Sequence, residues 1–132
     1  MAQQRKNINP EGWEELSQRF QFSQGVQVGN VLYTSGQVGM DATGNILEGI
    51  EAQARQAFQN LRRVIEKAGG AADDLVEVTS FHTSMDMKDL ETIVRVKAEV
   101  FPNNPHAWTA IGIKELAFPG LLLEVRGTAV LK

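Results

Sequence analysis

Two positions in the last quarter of the chain carry side chains that could do chemistry. Glu124 is the one acid in the run Leu121-Leu122-Leu123-Glu124-Val125. A carboxylate in so apolar a run is costly to bury without a partner. If burial raises its pKa towards neutrality, it can activate a water molecule or protonate a substrate nitrogen. The competing reading is a structural glutamate paired with Arg126, its same-face neighbour, or with a lysine of another subunit, since ion pairs perturb carboxylates too. Trp108, flanked by Ala107 and Thr109, offers one donor and a broad apolar face. Ser35-Gly36 ends a strand-like run, where glycine lets a ligand approach the backbone closely. A serine nucleophile needs a neighbouring base. Neither His82 nor His106 is placed by sequence to serve Ser35, which therefore reads as a hydrogen-bonding contact.

Other chemistries are disfavoured. The chain has no cysteine, which rules out disulfides, thiolate metal sites and a cysteine nucleophile. Its two histidines are far apart with no clustered acids around either, so no metal site and no cofactor are expected. No phosphate-loop pattern is present. The net charge of −3 comes from scattered residues without a basic run, so nucleic acid is an unlikely partner. The N-terminal stretch is polar and lacks an apolar signal core, and no apolar run is long enough for a spanning helix; a cytoplasmic protein with no membrane partner is expected.

The elements that must position these residues follow from periodicity. One domain of 132 residues is expected, with residues 1–18 a loosely held lead-in that Trp13 and Leu16 could anchor. Residues 20–38 read as a hairpin turning at Gly29-Asn30. Ala54, Ala57, Phe58, Leu61, Val64, Ile65 and Ala68 recur at helical spacing until Gly69-Gly70 stops the helix. A strand spans about 76–85, and Asp86 is the expected N-cap of a second helix with Leu90, Ile93, Val94, Lys97, Val100 and Phe101 at helical spacing. Two strands close the chain, Ala107–Ile113 and Leu121–Leu131, joined by a Pro119-Gly120 turn. The order β-β-α-β-α-β-β implies an α+β fold with two helices on one face of a single sheet. The other face stays half apolar, so self-association is expected.

Three motifs in this order resemble the RidA/YjgF family, also called the L-PSP endoribonuclease or translation-inhibitor family. They are QGVQVGNVLYTSGQVG from Gln24, EAQARQAFQNLRRVIEKAG from Glu51, and the closing LLLEVRGTAV. The resemblance covers about residues 21–131. It implies a chorismate-mutase-like fold, a homotrimer with clefts between subunits, and hydrolysis of reactive enamines and imines derived from amino acids, such as 2-aminoacrylate, to 2-keto acids and ammonia. In that family an arginine at the start of the penultimate strand holds the substrate carboxylate; here the position is Trp108, within His106-Ala107-Trp108-Thr109. The resemblance places Glu124 as the catalytic acid or base. It places Phe22, Ser35, Gly36, Trp108, Thr109 and Ala110 as contacts for a small-molecule ligand. Trp108 either closes the cleft or remakes it for an aromatic, uncharged or cationic ligand. Arg126 or Lys114 could stand in for the missing arginine. A non-catalytic ligand-binding or regulatory trimer is the alternative, and ribonuclease activity has the least support because no basic groove or stacking aromatics are evident.

Overall fold

The computed structural model describes residues 4–132. Its elements are β1 (Arg5–Ile8), α1 (Glu14–Arg19), β2 (Gly25–Val28), β3 (Val31–Thr34), β4 (Gln37–Val38), α2 (Ile50–Lys67), β5 (Leu75–His82), α3 (Met87–Val100), β6 (Ala107–Gly112) and β7 (Leu123–Val130). Local chemistry accounts for the main ones. Gly29, at φ 60°, lets the chain reverse in two residues and sets Val28 opposite Val31. Gly69, at φ 91°, ends α2. The Asp86 carboxylate caps α3 by accepting the Lys88 N–H at 2.8 Å.

All the strands join one mixed sheet in the order β1-β2-β3-β7-β5-β6, with β4 also paired to β7. Only β5 and β6 run parallel, and α3 is the crossover that this pairing requires. Helices α2 and α3 cover one face. Phe58, Leu61 and Ile65 of α2 and Ile93 and Val96 of α3 are buried against Leu32, Leu123 and Val125. Exposed ion pairs clip the two helices together: Arg55 to Glu99 at 2.7 Å and Arg95 to Glu51 at 2.7 Å. Neither α2 nor α3 lies over the other face, where α1 only flanks Glu124. There Tyr33 is 49% exposed and Val130 and Ile111 are each 40% exposed.

The α+β class stands, but the expected element order needs three corrections. Residues 5–19 are not a loose lead-in: β1 pairs with β2 from Arg5 opposite Val28 to Ile8 opposite Gly25, and α1 follows with Trp13 and Ser17 buried beside it. Residues 1–3 lie outside the described part. An edge strand reading RKNI buries one residue and leaves no alternation to detect. The two closing strands are not a pair either. β5 lies between β6 and β7, and the ten residues 113–122 form a loop, not a tight turn. Finally, the hairpin expected over 20–38 ends at Thr34, and Gln37–Val38 form the separate short β4, paired to β7.

Two polar side chains on the buried face of α2 hold irregular backbone in place. Asn60 Nδ2 donates to the carbonyls of Val38 (3.0 Å) and Met40 (2.9 Å), while its Oδ1 accepts from Gln56 at 2.8 Å. Gln53 Nε2 donates to the carbonyls of Leu47 (2.9 Å) and Gly120 (2.7 Å), and its Oε1 accepts the Leu122 N–H at 2.8 Å. Removing such a side chain leaves buried carbonyls unsatisfied. Asn60→Ala is expected to cost about 1–3 kcal/mol, seen as a lower urea midpoint at unchanged slope. On the exposed flank of the same helix, Gln59→Ala should change stability by less than about 0.5 kcal/mol.

Candidate functional site

The site begins with a break in a ladder. Both β3 and β4 pair with β7, Tyr33 opposite Thr128 and Gln37 opposite Val125, so Ser35 and Gly36 sit where the pairing opens. The Thr34 hydroxyl accepts the Gly127 N–H across this gap at 2.9 Å. The register places Glu124 beside Val38 on one side and Phe81 on the other, on the face away from α2 and α3. A Cβ on Gly36 would fall on the Glu124 carboxyl group. The carboxylate thus packs directly over backbone that only glycine leaves open.

Around this pair lies a pocket of about 400 Å³. Gly36, Ser35, Gln37 and Glu124 form its polar side, and Phe22, Phe20, Trp13, Met40, Leu121 and Phe118 form most of the rest. Phe20 and Phe118, from α1's end and the 113–122 loop, meet edge to face at 6.3 Å. A chain of side chains fixes the polar side. Gln37 Nε2 donates to Gln24 Oε1 (2.9 Å), Gln24 Nε2 donates to Ser17 Oγ (3.2 Å), and Ser17 donates to Asn9 Oδ1 (3.0 Å). The Ser35 hydroxyl donates to the Ser23 carbonyl at 2.6 Å. Ser35 is thereby a pocket-lining hydroxyl whose proton is held by backbone and not by a base.

Glu124 is half-buried, and among the described residues no donor or cation pairs with its carboxylate. Burial raises its pKa above the ordinary glutamate value. The expected structural alternative, an ion pair with Arg126, does not form: Arg126 is exposed opposite Thr79. Lys114 lines a separate shallow hollow with Thr83 and Leu122. Neither stand-in cation reaches this pocket.

The remaining expected contacts are elsewhere in the chain. Trp108 pairs in register with Val78, so it faces the helices, whereas Glu124 faces away from them. Within one chain β5 separates the strands of Trp108 and Glu124, and the two side chains do not share a cleft. The Trp108 indole N–H donates to Ser80 Oγ at 2.8 Å, and Ser80 Oγ lies 2.7 Å from His82 Nε2. Lys97 of α3 lies over the indole face, its Nζ 4.7 Å from the ring centroid and 3.0 Å from His106 Nε2. Burial lowers the Lys97 pKa, and burial followed by the Lys97 charge takes His106 down to about 4. Thr109 is exposed on the same edge strand and Ala110 is half-buried, both remote from Glu124 in one chain.

The structure therefore gathers Phe22, Ser35, Gly36 and Glu124 and leaves Trp108, Thr109 and Ala110 at the far edge of the sheet. Sequence reasoning missed Gln24, Gln37, Gln53 and Asn60. It also missed the aromatic wall from Phe20 and Phe118. Among the described residues no group of three His, Asp or Glu side chains is close enough to hold a metal ion, and no helix is long and apolar enough to cross a membrane.

Comparison with known proteins bears on the same framework. The family model described as Endoribonuclease L-PSP matches residues 14–131. RutC family protein YjgH of Escherichia coli is 36% identical over 115 residues, covering 86% of this chain and 87% of the relative. A protein of Dermatophagoides farinae named 2-iminobutanoate/2-iminopropanoate deaminase is 38% identical over 97 residues, covering 72% of this chain and 74% of its own. A solved structure of protein YJGH superposes with a TM-score of 0.84 at 35% identity over 96% of each chain. With nearly its whole length matched by that model, and a fold shared with relatives more than a third identical, the chain belongs to the RidA/YjgF, or Endoribonuclease L-PSP, family.

Proposed function

We propose that this protein is a hydrolytic deaminase of reactive enamines or imines, working in clefts between the subunits of a homotrimer. The observation that carries the reading is the Glu124 carboxyl group, unpaired, half-buried and raised in pKa in a largely apolar pocket. A carboxyl group whose pKa burial raises is more readily protonated, and its ionised form is the stronger base. In the proposed cycle its acid form protonates the substrate, on carbon for an enamine or on nitrogen for an imine. Its carboxylate then takes a proton from water as the oxygen adds to the C=N carbon. Collapse of the resulting carbinolamine releases ammonia and leaves a carbonyl product. The deaminase name carried by a relative that aligns over most of this chain supports the same chemistry.

The trimer is proposed because the face away from α2 and α3 exposes Tyr33, Val130 and Ile111 and a face so apolar favours burial against another copy. It would also bring the β6 edge of one subunit, with Trp108, Thr109 and Ala110, towards the Glu124 pocket of its neighbour. A non-catalytic binding trimer is the second reading: the resemblance puts Trp108 at the place of the family's carboxylate-binding arginine, and its indole is committed to Ser80 and packed against the core.

Light scattering of purified protein should report a trimer; a stable monomer of about the chain mass, 14.5 kDa, would count against the shared cleft. Hydrolysis of 2-aminoacrylate-type imines should be at least ~10-fold slower than in arginine-bearing relatives, because a charge-assisted clamp of about 1.5–3 kcal/mol is missing. Glu124→Gln keeps the side-chain volume and removes the proton carrier, so ammonia release should fall by roughly 100-fold or more in a protein of unchanged assembly. An equally active variant would remove Glu124 from the mechanism.

The same substitution has a thermodynamic signature. Burial holds the folded pKa of Glu124 above its ordinary 4.5, to which the unfolded chain returns. As pH rises past that value the unfolded state loses the proton first, so ionisation favours unfolding and the penalty persists at neutral pH. Glu124→Gln should therefore melt at a higher temperature than the parent at neutral pH, with the difference shrinking as pH falls below 4.5.

A further inference from the structure

The Glu124 pocket sorts ligands by hydrogen-bond polarity. On its polar side, Gln24, Ser35 and Gln37 have their side-chain donors already engaged. Gln37 Nε2 spends both protons, on Gln24 Oε1 at 2.9 Å and on the Ser35 carbonyl at 3.1 Å. Gln24 is 3% exposed, with its amide turned to Ser17 and Gln37. The Ser35 hydroxyl proton is held by the Ser23 carbonyl at 2.6 Å. What faces the cavity is the Glu124 carboxylate, the Ser35 lone pairs, and a wall of aromatic and aliphatic carbon. Among the described residues no lysine, arginine or histidine lines it.

A cavity of about 400 Å³ is of the size that takes a small molecule. An anionic ligand would meet a like charge and no cationic side chain, and burying a second carboxylate beside Glu124 is costly. A ligand with an N–H would instead supply the partner that Glu124 lacks. An aryl or bulky alkyl group fits the space between Phe22, Trp13 and the Phe20–Phe118 pair.

We infer that the pocket selects an apolar, ring-sized compound bearing an N–H donor and no carboxylate, so that the imines processed are aryl or bulky alkyl imines and not those of α-amino acids. The reaction in this statement rests on the deaminase reading; the ligand selection does not. The site is the same, and only its substrate class is made specific.

Three probes of one shape test the selection: phenethylamine, phenylacetamide and phenylacetate, titrated calorimetrically into the full chain at neutral pH. The amine and the amide should bind, and phenylacetate should be at least ~10-fold weaker than either, a difference of about 1.4 kcal/mol. Glu124→Gln should erase the preference for the amine over phenylacetate while the neutral amide still binds. Phenylacetate binding as tightly as the amide, or no binding by any of the three, overturns the inference, and the parent protein alone suffices for both outcomes. Ammonia release from an aryl ketimine is followed in parallel. Its absence with the ligand ranking intact would uphold the pocket's selectivity and defeat the deaminase reading alone.

Discussion

Buried backbone must find hydrogen-bond partners, and here the irregular segments that build the pocket find them in two amides of one helix. Gln53 joins the 47–49 region to the 113–122 loop, and Asn60 holds the carbonyls of β4 and of Met40. Neither segment has enough sheet pairing to hold itself: β4 is two residues long. The helix that supplies Phe58, Leu61 and Ile65 to the core is therefore also the template for the site. Core packing sets the helix, the helix sets two loops and a short strand, and these set Gly36, Phe118 and Leu121 around Glu124.

Much of this was legible in the sequence, for reasons that differ from element to element. The apolar spacing of α2 and α3 is long enough to show a helical period, and Gly29-Asn30 has the chemistry of a two-residue turn. The class and the two covering helices follow from those alone. Glu124 stood out because it interrupts leucines, and Ser35-Gly36 because glycine at a strand end has few other uses. Gln53 and Asn60 escaped because an amphipathic reading assigns amides to the wet side of a helix, and nothing local says that a loop needs them. Strand neighbours escaped too. Which strand lies beside β7 depends on the crossover through α3, and chain order does not encode it. The side on which Trp108 falls depends in turn on its pairing with Val78.

The two faces of the sheet differ in electrostatic character. On one, a carboxylate sits without a cation. On the other, Lys97 sits over an indole and against a neutral His106, and burial depresses its pKa. Each charge lies in a place that disfavours it, and neither can relieve the other within one chain. The Trp108 indole is committed to Ser80, which itself contacts His82. A guanidinium at 108 would have to leave that packing to serve as a clamp.

The contact between Gly36 and the Glu124 carboxyl group makes the two positions share a single volume. A methyl group at 36 evicts the carboxylate, and a shorter acid at 124 makes room for one. Residues that share space in this way are thermodynamically coupled, so the effects of changing each do not add. In a divergent lineage the two sites would drift as one character, and a family member with a larger residue at 36 would be expected to have reshaped 124 in the same step.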